Sequence, residues 1–273
     1  MRVFLYAGVV LAAAITTNTQ AIPFPTMTHV EITSCKNSPL GECTDSVYYA
    51  GTSEILEMGT PVTLPTSKLV RAVGVHCARG DKSKGIPYSL CQWVIGGHAP
   101  RTTDCTLKSL SSWELTPTST CSTAPTWGTH SGAAPGGECV MFGNFSTGDV
   151  MLLTPYGHHT AESVANGGNR FCIKPLPPGT ACDVVLPPII DHGSMVTGTR
   201  DTKYIDGKVD CGQSTVVNVV GSPNITLAPG VSTKISTSMS TATDLRIQSD
   251  MNVEASALSG DYSASVIIAV SPY

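Results

Sequence analysis

The chain has 273 residues, a formal net charge of −4 and only 13% charged side chains. That balance leaves no basic face for nucleic acid or for an anionic membrane surface. Glycine, proline, serine and threonine are abundant instead, which suits short strands joined by many turns.

The first element reads as an export signal. Arg2 supplies a short positive region. Phe4 to Ile15 form an apolar run of about a dozen residues, the length of a signal-peptide core and too short for a membrane span. Thr19-Gln20-Ala21 ends in a small residue, so residues 1–21 are expected to be removed and the mature chain to begin at Ile22. No later run is long and apolar enough for a membrane helix. The remaining length of about 250 residues suits one large β domain or two ordinary ones.

Ten cysteines follow the signal segment: Cys35, Cys43, Cys77, Cys91, Cys105, Cys121, Cys139, Cys172, Cys182 and Cys211. In an exported chain an even count reads as disulfides. There is no CxxC and no zinc-ribbon spacing. Lys174-Pro175-Leu176-Pro177-Pro178-Gly179 interrupts the chain with three prolines that cannot join a ladder. Eight cysteines precede it and two follow, so each side can close its own bridges. The expected organisation is a domain at 22–173, a proline-rich linker at 174–180 and a domain at 181–273. Cys182 with Cys211 is the pairing open to the second domain. The eight upstream cysteines leave many connectivities open.

The strand candidates run along both parts. Ser67 to Cys77 is one. Val140-Met141-Phe142 and Val150 to Leu153 are two more, parted by a turn near Gly143-Asn144 and Thr147-Gly148. Thr215 to Val220 and Thr233 to Ser236 follow. No segment shows a sustained 3.6-residue period with caps. The predicted fold class is all-β, with two sandwich or barrel domains. The chain ends on an apolar strand from Gly260 to Tyr273. Tyr262, Ala264, Val266, Ile268 and Val270 fall on one face, and Ser263, Ser265, Ile267, Ala269 and Ser271 on the other. A bare apolar edge recruits other chains, so this strand is a candidate acceptor for a strand from another protein.

The order of parts resembles the two-domain tip adhesins of chaperone–usher fimbriae: signal peptide, cysteine-rich receptor domain, short linker, pilin domain. Cys182-Asp183-Val184-Val185-Leu186-Pro187-Pro188-Ile189-Ile190-Asp191-His192-Gly193 resembles the opening of such pilin domains. Val209-Asp210-Cys211-Gly212 supplies the second cysteine, and Gly260 through Tyr273 is similar to the last strand of fimbrial subunits. By length and architecture the chain is most similar to the adhesin of mannose-resistant Proteus-like fimbriae. The resemblance implies that the second domain is an incomplete immunoglobulin-like sandwich lacking its last strand. A periplasmic chaperone would fill the gap first. After handover at an outer-membrane usher, the extension of the next fimbrial subunit would replace it by strand addition. Val266, Ile268, Val270 and the terminal Tyr273 would make those contacts. The usual aromatic stands second from last, whereas here it is the final residue. Ile22-Pro23-Phe24-Pro25-Thr26-Met27 has two prolines and reads poorly as a donor strand, which implies a place at the extracellular tip.

Receptor contacts are expected in the first domain, which holds all three tryptophans, Trp93, Trp113 and Trp127. Aromatic faces stack on sugars and anchor interfaces, although a core role is the commoner one for each residue. Trp127 lies in Thr123 to Gly137, a Gly-, Pro-, Ser- and Thr-rich segment that reads as a long loop. The resembled family includes zinc-dependent receptor binding through three histidines, two of them in an HxH pattern. No HxH exists here, and Gly74-Val75-His76 keeps only its second position. A Zn2+ ion would have to be assembled from His76, His130 and His158 or His159; the alternative is ordinary surface or hydrogen-bonded histidines. Arg79-Gly80-Asp81 and the sequons at Asn144 and Asn224 are weaker signals, each better read as ordinary surface chemistry.

HExxH, GxSxG and a nucleophilic cysteine setting are all missing. The expectation is therefore a non-enzymatic adhesin for a host glycan or glycoprotein. A structural minor pilin or adaptor is one competitor and would need a donor strand at Ile22. A secreted disulfide-rich hydrolase is the other, and would lose activity on substitution of one or two polar residues.

Overall fold

The computed structural model describes residues 2–4, 22–35, 47–58, 63–94, 105–117, 126–132, 139–145, 150–175, 182–212 and 215–271. Tyr273, linker residues 176–180 and residue 181 lie outside the described residues, as do the side chains of Trp127 and His130. The described chain is nearly all β. In order, the strands are β1 (Arg2–Phe4), β2 (Ile22–Cys35), β3 (Val47–Met58), β4 (Leu69–Asp81), β5 (Ile86–Val94), β6 (Cys105–Thr106), β7 (Thr126–Gly132), β8 (Cys139–Phe145), β9 (Leu152–Thr154) and β10 (Gly157–His159). A short helix α1 (Ala161–Asn166) follows. Then come β11 (Asp183–Val185), β12 (Thr199–Asp210), β13 (Val216–Val219), β14 (Asn224–Ala228), β15 (Val231–Met239), β16 (Asp244–Val253) and β17 (Ser265–Ser271).

Residues 22–175 hold two sheets. One has the order β2-β3-β7; the other runs β10-β9-β8-β4-β5, with β6 also on β4. The central strands β4 and β8 are apolar on both faces, as strands covered on both sides must be. Val70, Ala72, Val140 and Phe142 point to one face and meet Phe24, Met27 and Tyr49 of the first sheet. Val73, Val75, Cys139 and Met141 point to the other and meet Ala161, Val164 and Ala165 of α1. Thr160 caps this helix: its hydroxyl accepts from the Ser163 amide, and Ser163 reaches back to the Thr160 amide. At six residues the helix is too short to show a period, so no 3.6-residue signal marks it. Cys77–Cys91 ties β4 to β5, and Cys139–Cys172 ties β8 to the segment after α1.

The expected loop at 123–137 needs correction. Residues 126–132 form strand β7 on the edge of β3, with Gly51 opposite Trp127 and Tyr49 opposite His130. Small polar residues are poor strand formers on their own, but an open neighbouring ladder supplies the hydrogen bonds that propensity does not.

Residues 182–271 form a five-stranded sheet, β11-β12-β16-β15-β14, and two strands of a three-stranded one, β1-β17-β13, whose third strand is Arg2–Phe4. The apolar faces of both enclose Val209, Leu227, Val231, Ile235, Leu245, Ile247, Val266 and Ile268. Cys182–Cys211 joins the start of β11 to the end of β12. None of the three bridges described crosses the proline-rich segment. The two parts do touch. Asn169 donates from Nδ2 to Ser271 Oγ at 2.8 Å, and the Gly221 amide donates to the Arg170 carbonyl at 2.7 Å.

Candidate functional site

The most distinctive local arrangement is the edge of β17. On one side β17 pairs with β13 through Val219↔Ile268 to Val216↔Ser271. On the other it pairs antiparallel with β1, Arg2 opposite Ile267, Val3 opposite Val266 and Phe4 opposite Ser265. Among the described residues no strand pairs with 268–271 on that second side. A strand from the far end of the chain thus occupies part of this edge. Val266 and Ile268 are buried and Val270 half-buried in the core of residues 182–271. The opposite face is buried too: Ile267 and Ala269 join Val220 in the core of the N-terminal part. The alternation legible in the sequence therefore divides one strand between two cores.

A second candidate surface is β5, at the far edge of the six-stranded sheet. Leu90 has φ +52° and is 82% exposed, a conformation and a position that a leucine rarely takes. It sits in a bulge where the register shifts between His76 and Ala78, one residue from the Cys77–Cys91 bridge. Ile86 is also exposed on this strand, and Trp93 is half-buried. The Trp93 ring meets Phe145 edge-on at 6.3 Å and donates from Nε1 to the Val150 carbonyl. Sequence reasoning found Trp93 but missed Leu90, because no residue pattern marks a left-handed leucine.

The other expected residues fall apart. Trp113 is fully buried, packs edge-on against Phe24 at 5.6 Å and donates to the Thr63 carbonyl at 2.7 Å. It is a core residue with a satisfied indole. His76 lies toward one end of the six-stranded sheet and His158, on β10, toward the other. Registers through β8 and β9 put them three strand spacings apart, roughly 14 Å, and about 20 Å along the strands. Two rings so placed cannot share an ion that needs donors at about 2 Å. Among the described residues no three His, Cys, Asp or Glu side chains gather as metal ligands. His159 is buried, with Nε2 2.9 Å from Thr154 Oγ1 and its ring against Phe171. Burial, and then the neighbouring His158, push its pKa down to about 4. Asp81 of the RGD tripeptide is held by the Ser83 amide and hydroxyl and by Lys84. These bonds, the Ser83 hydroxyl first, hold its pKa below the usual carboxylate range. Asn144 is buried and fully bonded, donating to Leu69 and Ser67 and accepting from Thr66, so its sequon is closed to modification.

One polar chain has the residue types of a hydrolytic triad. His192 Nδ1 lies 2.8 Å from Asp201 Oδ2, His192 Nε2 lies 2.9 Å from Ser249 Oγ, and Ser249 Oγ lies 2.7 Å from Thr233 Oγ1. The imidazole contact, above all, lowers the Asp201 pKa. An ionised carboxylate only accepts, so Nδ1 carries a proton and donates to it. Ser249 is wholly buried and its hydroxyl is already shared with Thr233. No substrate carbonyl reaches it in this arrangement. The chain instead pins the segment after β11 across β12, β16 and β15. No family model, no curated protein and no solved structure matches this chain.

Proposed function

We propose that this protein is a two-domain tip adhesin of a chaperone–usher fimbria. Residues 22–173 bind a host glycan or glycoprotein, and residues 181–273 attach the protein to the next fimbrial subunit. The observation that carries this reading is the strand order of residues 182–271. In sheet order β11, β12, β16 and β15 stand as A, B, E and D do in an immunoglobulin sandwich, with β14 as a further strand beyond β15. Strands β13 and β17 correspond to C and F of the facing sheet. A seventh strand would lie beside F, and β1 holds that place. On this reading, removal of the leader frees the edge of β17. A periplasmic chaperone takes it first, the usher receives the complex, and the next subunit's extension follows by strand addition.

A further support separates an adhesin from an adaptor pilin. The N-terminal segment of an adaptor must leave its own domain to serve as donor. Here residues 22–35 pair with β3 along their length and bury Phe24, Met27 and Val30. For the receptor surface, β5 offers the exposed Leu90 and Ile86 beside the half-buried Trp93. The hydrolase reading draws on the Asp201–His192–Ser249 distances, but the burial of Ser249 weighs against it. A fluorophosphonate probe should leave Ser249 unlabelled.

The test of the whole reading is truncation. Deleting Val266 to Tyr273 should abolish capture by the cognate chaperone and display on the cell surface. Normal capture and display of the truncated chain would sink the pilin assignment.

A further inference from the structure

Strand β17 is covered on both faces, and by different parts of the molecule. Val266 and Ile268 belong to the core of residues 182–271, whereas Ile267 and Ala269 belong to the core of the N-terminal part. The result is an unbroken apolar run, Val266-Ile267-Ile268-Ala269-Val270, as a strand buried on both sides requires. In a sandwich domain standing alone, one face of such a strand would meet water and its sequence would alternate.

The register tells which side each added residue would face. Directly opposite residues of an antiparallel pair point to the same face of the sheet. Val3 stands opposite Val266, so that position belongs to the C-terminal core. The positions opposite Ser265 and Ile267 belong to the side of the N-terminal part. The N-terminal part runs along this face of β17. Ser265, Ile267, Ala269 and Ser271 are all buried. Met58 of β3 lines a small cavity with Ser265 and Val266 at the start of the strand. Asn169 donates to Ser271 Oγ at its end. A strand added beside β17 stands only about 4.8 Å away and so enters the same layer.

We infer that the edge of β17 takes a partner strand that is apolar on both faces, the C-terminal part recognising one face and the N-terminal part the other. The inference rests on the strand-addition reading proposed above and adds the second face to it. The strand seated there in this chain fits that chemistry. It opens a stretch, Val3 to Ile15, with no charged residue and no period-two alternation. An alternating strand would turn a polar side chain toward an apolar core, where a polar group without a bond is costly. The demand is strongest opposite Ile267 and Ala269. Ser265 and Ser271 lie at the ends of that face, and the Ser271 hydroxyl is already bonded to Asn169.

The experiment refolds the leaderless chain, residues 22–273, with a fluorescent peptide. The peptide has valine at five successive central positions and lysines at both ends for solubility. The unlabelled parent and two variants compete with it. One variant alternates valine with serine over the same positions. The other carries proline at the centre, which cannot complete a ladder. The alternating peptide should compete about 10- to 100-fold less well than the parent, the worth of one or two buried apolar side chains. The proline peptide should not compete. With labelled methionine methyls, the parent should shift Met58 in the N-terminal core as well as Met251 in the C-terminal one. Equal competition by the alternating peptide, or a bound parent that leaves Met58 unmoved, overturns the inference and leaves strand addition standing. No binding by any peptide, or full competition by the proline peptide, overturns strand addition and this inference with it.

Discussion

Two edge strands, β5 and β17, meet the same hazard in opposite ways. An exposed edge carries unpaired backbone groups that recruit other chains. On β5, Pro87 removes one donor, and the bulge at Leu90 throws the strand out of register. On β17 there is neither proline nor bulge, both faces are apolar, and the free side is partly filled by β1. An edge disrupted in this way is suited to presenting side chains. A straight, undisrupted edge is suited to receiving a strand. The contrast matches the division of labour proposed for the two parts.

The comparison breaks most decisively at Ile268. Ile268→Asp puts a carboxylate into the core of residues 182–271 and should abolish the folded, chaperone-bound form in a periplasmic extract. Leu90→Asp on β5 should leave that yield and the thermal midpoint unchanged while reducing cell binding at least roughly tenfold, the loss of a central apolar anchor. Equal yields of the two variants would remove the distinction between the edges.

The next effect sharpens the role of the N-terminal core. Trp113→Ala should cost about 3–5 kcal/mol in a denaturant titration, the range for a fully buried tryptophan. Trp93→Ala is half-buried and should cost less than about 2 kcal/mol. Similar losses would mean that both rings serve the core.

Acid should act on the N-terminal part first. An unfolded histidine protonates near pH 6.5, whereas His159 in the fold does so only at about 4. Between those values the unfolded chain binds more protons, so stability falls as pH drops through that window. The thermal midpoint should decline on the order of 5 °C between pH 7 and 4.5. His159→Gln should flatten that decline, and an unchanged slope would place the titration elsewhere. Asp201, Asp206 and Asp244 have lowered values, led by bonds from His192, Arg246 and Lys208. Their contribution is lost at lower pH still, below the ordinary carboxylate range.

The smallest effect tests the contact between the parts. Asn169→Ala removes the bond to Ser271 and should cost about 1 kcal/mol. A double-mutant cycle with Ser271→Ala should return a coupling near that size. No coupling would mean that the contact contributes nothing in solution.

Much of the architecture was legible because it depends on local chemistry. Turn-rich composition and period-two runs read as β, and the runs around β4, β8, β15 and β17 lie where alternation put them. Even cysteine counts on either side of a proline-rich break anticipated a bridge between Cys182 and Cys211. Strand β7 and helix α1 were not legible, since one borrows its bonds from β3 and the other is only six residues long. The histidine grouping failed for a related reason. Sequence shows which residues are available to a metal, but strand register decides which ones meet.

By itself, then, the sequence determined the all-β class, the Cys182–Cys211 bridge and the alternating apolar face of the last strand. Each depends on residue type, spacing or count, which need no knowledge of neighbours. Only the tertiary structure decided that both faces of β17 are buried, that Trp113 lies in the core and that Leu90 is exposed. Those outcomes depend on which distant segments come together, and burial and hydrogen-bond partners exist only once they have.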